Sequence, residues 1–164
     1  MKTNAVRLLE SSGIEHTLRD YEVDPDDLSA PKVAAQIGLP ANQVFKTLLA
    51  KGDVHGLLFA VVPGNQELDL KALARLSGNR NTALVPVSQL QGLTGYIRGG
   101  VTALAAKKPF PVFLDASALQ YPVIAVSAGI RGTQIVLSPR DYQKATAATT
   151  GSLSRATPDP APSL

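Results

Sequence analysis

The sequence predicts an α/β protein of the α+β type, in which a mixed, largely antiparallel sheet carries helices on its periphery. Two features of the pattern lead there. Hairpin-like β runs outnumber crossovers, and helical and extended stretches follow one another without a regular βαβ alternation. A third observation sets the scale: 164 residues, 45% of them hydrophobic and 18% charged, suit a single globular domain with its own core.

Thr3 is placed to cap a first helix whose apolar stripe is Ala5, Leu8 and Leu9, closed by Gly13. Ile14 to Tyr21 reads as a strand, and an acidic loop around Pro25 follows. Ser29 and Pro31 open a short helix carrying Val33 and Ile37, which Gly38 ends. Residues 44–50 and 57–62 form the two strands of a hairpin turned at Lys51 to Gly56. Asp69 caps a helix with Leu70, Leu73 and Ala74 on one face and Gly78 at its end. Ala83 to Val87 is a further strand, and Ser88 begins a helical turn. After the glycine-rich passage 95–102 come two β runs, Pro111 to Leu114 and Val123 to Ser127. Gly129 to Gly132 turns into the strand Thr133 to Leu137, and Ser138-Pro139-Arg140-Asp141 is a capping box for a last helix. From Thr149 the chain becomes small and polar, with Pro158, Pro160 and Pro162, and is expected to be disordered.

Several chemistries are absent. There is no cysteine, hence no disulfide, thiolate zinc site or catalytic thiol. No Gly-Lys dipeptide exists, so there is no P-loop, and no Gly-x-Gly-x-x-Gly follows a strand. His16 and His55 lack a partner spaced to share a metal, and neither sits in a catalytic motif. No metal and no cofactor are expected. Without an apolar signal core or a membrane-length apolar run, the chain reads as cytoplasmic, with no membrane partner. An enzyme of this composition works by positioning and electrostatics.

The net charge of +3 is unevenly spread. Residues 20–27 hold five acids, whereas residues 71–114 hold six bases and no acid. That one-signed stretch either draws in a polyanion such as RNA or is ordinary solvated surface.

Lys46 is the unusual residue. It shares a strand face with Val44, Leu48 and Ala50, opposite Phe45, Thr47 and Leu49, and both faces are mainly apolar. An unpaired ammonium is costly to bury, so Lys46 either faces a cavity and meets an anion or carbonyl, or snorkels out from an edge strand. In Gly95-Tyr96-Ile97-Arg98-Gly99-Gly100-Val101-Thr102, glycines allow backbone N–H groups to approach a ligand, although they also serve turns. Ser127-Ala128-Gly129-Ile130-Arg131-Gly132 reads as a hairpin turn with Ser127 at the strand end.

Val44-Phe45-Lys46-Thr47-Leu48 and these two stretches, with Glu67-Leu68-Asp69-Leu70-Lys71 between them, stand in the order and spacing of the YbaK/EbsC family. The chain resembles these freestanding relatives of the prolyl-tRNA synthetase editing domain over residues 3–148. The resemblance implies a mixed, barrel-like sheet of six or seven strands surrounded by helices and an editing domain over residues 1–150, to which the composition adds an expected disordered Pro-rich tail over 151–164. It also implies a trans-acting deacylase for mischarged tRNA, most directly Cys-tRNA(Pro), with prolyl-tRNA synthetase as a second partner. By the resemblance Lys46 is catalytic, holding the terminal adenosine region and polarising the ester, and the Gly99 and Gly100 N–H groups hold the aminoacyl carbonyl. Tyr21, Thr47, Thr102, Ser127 and Gln134 complete the substrate-binding set. The nucleophile is implied to be the substrate's own thiol. Two departures bear on specificity: the family loop Gly-Gly-x-Ser-Pro-x-Gly here reads Gly99-Gly100-Val101-Thr102-Ala103-Leu104-Ala105, and Gln134 stands where Cys-specific members can carry an acid. Alanine or another small aminoacyl group is the alternative substrate, and a non-catalytic tRNA- or synthetase-binding module the alternative role.

Overall fold

Local signals start most of the helices. The Thr3 hydroxyl accepts from Val6 N–H at the start of α1 (Asn4–Ser11) and donates to Ala128 O at 2.6 Å, which ties the helix to a distant turn. β1 (His16–Asp20) follows, and then α2 (Ala30–Ile37), opened by the Ser29 hydroxyl and closed by Gly38 at φ 78°. β2 (Phe45–Gly52) and β3 (Gly56–Pro63) form the expected hairpin, with Phe45 opposite Pro63 and Gly52 opposite Gly56. β4 (Gln66–Leu68) precedes α3 (Leu70–Ser77), whose first turn donates two N–H groups to the Asp69 carboxylate. β5 (Thr82–Leu84) is shorter than its apolar run, because Pro86 leads into a 3₁₀ turn at Val87–Gln89 and then α4 (Leu90–Thr94). β6 (Val112–Asp115), β7 (Ile124–Ser127), β8 (Thr133–Leu137) and α5 (Pro139–Thr146) lead to two short strands, β9 (Thr149–Gly151) and β10 (Ser154–Ala156). These elements come from a computed structural model that describes residues 2–157.

The strands divide among three sheets, ordered β1-β8-β7, β10-β4 and β5-β2-β3-β6-β9. Only β3–β6 and β6–β9 are parallel, so the fold is mixed and largely antiparallel, as expected. The expected single barrel-like sheet is replaced by these three, and no closed barrel forms among the described residues. An isolated parallel bridge, Val44 to Ala125, joins the two larger sheets. The main core fills the space between them and includes Phe45, Phe59, Leu114, Ile135 and the fully buried Tyr142.

The expected disorder from Thr149 needs correction through Ala156. β9 pairs with β6, β10 pairs with β4, and Leu153 between them is fully buried. The Asp115 carboxylate accepts from Leu153 N–H at 2.8 Å and Ser154 N–H at 3.1 Å, replacing water for those two amides. The segment with Pro158, Pro160 and Pro162 lies outside the described residues. Among the described residues no helix is long and apolar enough to cross a membrane.

Candidate active site

The site begins as an interruption in the largest sheet. β3 borders β2 along its whole length on one side. On the other side the chain bridges to β7 at Val44–Ala125, just before β2 begins, and β2 pairs with β5 from Ala50 onward, with Leu49 O accepting from Val85 N–H. The stretch from Phe45 to Leu48 has no strand beside it there, and a cavity of about 510 Å³ opens along it.

Strand alternation puts Lys46 on the face of Val44 and Leu48, and all three line the cavity. Phe45, Thr47 and Leu49 of the other face line it too, so Lys46 stands at an open strand edge and in the cavity wall at once. Lys46 is half-buried and makes no ion pair or hydrogen bond among the described residues. Burial lowers its pKa below the ordinary 10.5, against the opposing pull of Glu67. Glu67 is itself 3.3 Å from Arg155, so its charge is shared. The result is a cation with unfilled donors facing an open volume.

The two glycine motifs fold onto each other beside it. Arg131 Nε donates to Arg98 O at 2.8 Å, and a Cβ on Gly100 would come within 3.1 Å of Ile130 backbone. Gly129, at φ 95°, lies under Tyr96, where a Cβ would approach the ring to 2.8 Å. Tyr96 in turn donates its hydroxyl to Leu104 O at 2.7 Å. Gly99 lines the cavity at φ 86°, and its N–H has no acceptor among the described residues.

Of the residues predicted for the site, Tyr21, Lys46, Thr47, Gly99, Ser127 and Gln134 line this one cavity. Gly100 and Thr102 do not. The Gly100 N–H already donates to Ile97 O at 2.8 Å, so it is not free to hold a carbonyl. Thr102 is fully buried, and its hydroxyl accepts from Leu104 N–H, which gives it a structural place inside the loop. Ser127 and Gln134 are register partners across β7 and β8. The Ser127 hydroxyl accepts from Gly129 N–H at 3.1 Å. Gln134 is 6% exposed, and its Oε1 has no partner, an acceptor held in the wall of an open cavity. Thr47 contributes to the lining, but its hydroxyl neighbours that of Tyr142, and neither completes a hydrogen bond. Burial pushes the Tyr142 pKa up, which keeps that phenol neutral. The sequence reading assigned no wall role to Leu84, Val85 and Leu90, nor a rim role to Asp26 and Asp27. For Leu84 the signal is its 53% exposure, which appears only in three dimensions. Both histidines lie away from this cavity, and no cluster of metal-ligating residues occurs among the described residues.

A model of the family described as the aminoacyl-tRNA editing domain matches residues 24–145 of this chain, which contain every cavity residue except Tyr21. The chain belongs to the aminoacyl-tRNA editing domain family. Among curated relatives, "Putative Cys-tRNA(Pro)/Cys-tRNA(Cys) deacylase EbsC" of Enterococcus faecalis is 45% identical over 138 residues, 84% of each chain. Proline–tRNA ligase 1 of Streptomyces avermitilis is 33% identical over 89 residues, 54% of this chain and 15% of that enzyme. A crystal structure described as "a putative trans-editing enzyme for prolyl tRNA synthetase" superposes with a TM-score of 0.79 at 25% identity, covering 95% of this chain and 99% of the other. Within this editing domain the loop departure has a backbone consequence. Ala105, which stands in place of the last loop glycine, takes φ 52°, a left-handed conformation that a side chain disfavours.

Proposed function

We propose that this chain is a trans-acting aminoacyl-tRNA deacylase whose preferred substrate is Cys-tRNA(Pro), cleaved with the help of the substrate's own thiol. The observation that carries the reading is Lys46, a half-buried cation without a counter-ion, facing a cavity sized for the aminoacyl end of tRNA. The terminal ribose and ester occupy the open edge of β2. Lys46 and the Gly99 N–H donate to oxygen atoms that gain negative charge as the ester carbonyl is attacked. Gln134 Oε1, with Ser127 beside it, supplies acceptors for the α-ammonium of the aminoacyl group.

The cavity offers serine, threonine and tyrosine hydroxyls but no histidine to activate them, and the chain has no cysteine. The thiolate of the substrate forms the new S–C bond, the ester C–O bond breaks, and the proton given up by the thiol ends on the released ribose hydroxyl. The resulting thiolactone is opened by water. The protein holds the ester and thiol in attacking geometry, a contribution that can account for much of the acceleration. Prolyl-tRNA synthetase is the source of the mischarged substrate and the second proposed partner.

Lys46→Ala tests this reading. It is expected to lower the deacylation rate of Cys-tRNA(Pro) by about 100- to 1,000-fold, the scale of losing one transition-state donor, with the thermal midpoint unchanged or raised. Wild-type turnover in that variant contradicts the role given to Lys46.

A further inference from the structure

A second groove, of about 790 Å³, lies across the segment that walls the cavity, and Leu84 and Val85 line both. Its surface is apolar and flat-sided: Pro86, Leu93, Phe110 and Pro111 form much of it. The Phe110 ring is anchored from behind by Phe59, with centroids 5.8 Å apart and planes at 57°. Lys51 and His55 are the ionisable residues of the lining, which contains no acid. Asp53, in the turn between them, directs its carboxylate to the Arg80 and Asn81 N–H groups at 2.9 and 3.1 Å. Most of the groove comes from the acid-free stretch 71–114, although none of the six bases of that stretch is in the lining. The ridge between groove and cavity is bare, with Leu84 53% and Val87 57% exposed.

We propose that this groove binds the unpaired nucleotides that precede the terminal adenosine of the tRNA 3′ end. The inference rests on the editing reading of the neighbouring cavity. An RNA strand whose last nucleoside enters the cavity must leave across its rim, and the Leu84–Val87 ridge offers an apolar crossing. Anchored aromatic and proline surfaces suit base stacking, which is tolerant of sequence, and Lys51 suits the accompanying phosphate. Apolar walls with one exposed lysine and no acid complement a single-stranded polyanion with stacking bases better than they complement an acidic or a neutral protein segment.

The test compares two probes on the full-length protein: a short single-stranded RNA ending in cytidine-cytidine-adenosine, and adenosine monophosphate, which is too short to reach the groove. The RNA is expected to bind about tenfold or more tighter. Lys51→Glu and Phe110→Ala are each expected to remove most of that advantage and leave the mononucleotide affinity unchanged. Lys51 is exposed on β2, so its replacement leaves the fold intact even if loss of Phe110 does not. Equal affinity for the two probes overturns the proposal, as does an equal loss for both probes in Lys51→Glu. A concentration-dependent dimer dissociated by Lys51→Glu, with RNA affinity unchanged, also overturns it and assigns the groove to a second copy. Affinity is read without turnover. Failure of wild-type protein to deacylate Cys-tRNA(Pro) therefore counts against the editing reading and leaves the binding result to decide this one.

Discussion

Lys46 carries a cost that only a ligand can offset. Its ammonium is partly withdrawn from water and lacks an anion within ion-pairing distance, so the folded state disfavours its charged form. The linkage has a definite sign. The folded pKa lies below the unfolded 10.5, so between the two values the unfolded chain binds more protons. The stability penalty is therefore present at neutral pH and is relieved as pH rises through that window. The proposed catalysis runs the other way, because the reaction as proposed uses the protonated lysine. The rate of Cys-tRNA(Pro) cleavage, corrected for uncatalysed hydrolysis, is expected to fall on the alkaline side at a pH below 10.5. Glu67 is the group that holds the lysine pKa up, so Glu67→Gln should move that limb to lower pH. A pH–rate profile checks both statements; a limb at or above 10.5, unmoved in the variant, contradicts them.

Among the elements, the glycine loop and the Ser127–Gly132 turn behave as one unit, held by the Arg131–Arg98 and Tyr96–Leu104 hydrogen bonds. Ala105 is the strained point in that unit. It is exposed and left-handed at φ 52°, so a glycine there loses little packing and sheds the Cβ penalty. Ala105→Gly should stabilise the protein by about 0.5–1 kcal/mol, the left-handed penalty less the added entropy of the unfolded chain. Chemical denaturation measures this, and an unchanged or lower midpoint refutes it. The helix starts were legible because their causes are local: Thr3, Ser29, Asp69 and Ser138 each bond an amide two or three residues away. The ordered end of the chain was not, because its amides are satisfied by Asp115, 38 and 39 residues earlier. A small, polar composition says nothing about such a partner. The same limit explains Gly100 and Thr102. Their residue types suit a ligand loop, but the loop folds back and uses the Gly100 N–H and the Thr102 hydroxyl internally. Lys46 stood out through strand alternation and Ser127 through its place at a strand end, whereas Gln134 was marked only by the family resemblance.

At the scale of the molecule, three sheets are arranged so that one strand, β2, keeps an open edge beside Lys46 and the cavity it lines. The wall of that cavity contributes an unpartnered amide oxygen and hydroxyls, while the terminal histidine-bearing strand and the His55 turn lie elsewhere. In the proposed reaction such a site holds an ester and its aminoacyl group, and leaves the attacking atom to the substrate. Specificity then follows from the chemistry of the side chain on the tRNA more than from the fit of the pocket. The most direct measurement is the deacylation rate of one tRNA(Pro) charged in turn with cysteine, serine and alanine, under single-turnover conditions with binding determined separately. A thiol ionises near neutral pH and a hydroxyl does not, so the cysteinyl ester is expected to be cleaved roughly 100-fold or more faster than the other two at similar affinity. Alanyl-tRNA cleaved as fast as cysteinyl-tRNA contradicts the account and assigns the attack to a bound water or to the ribose 2′-hydroxyl.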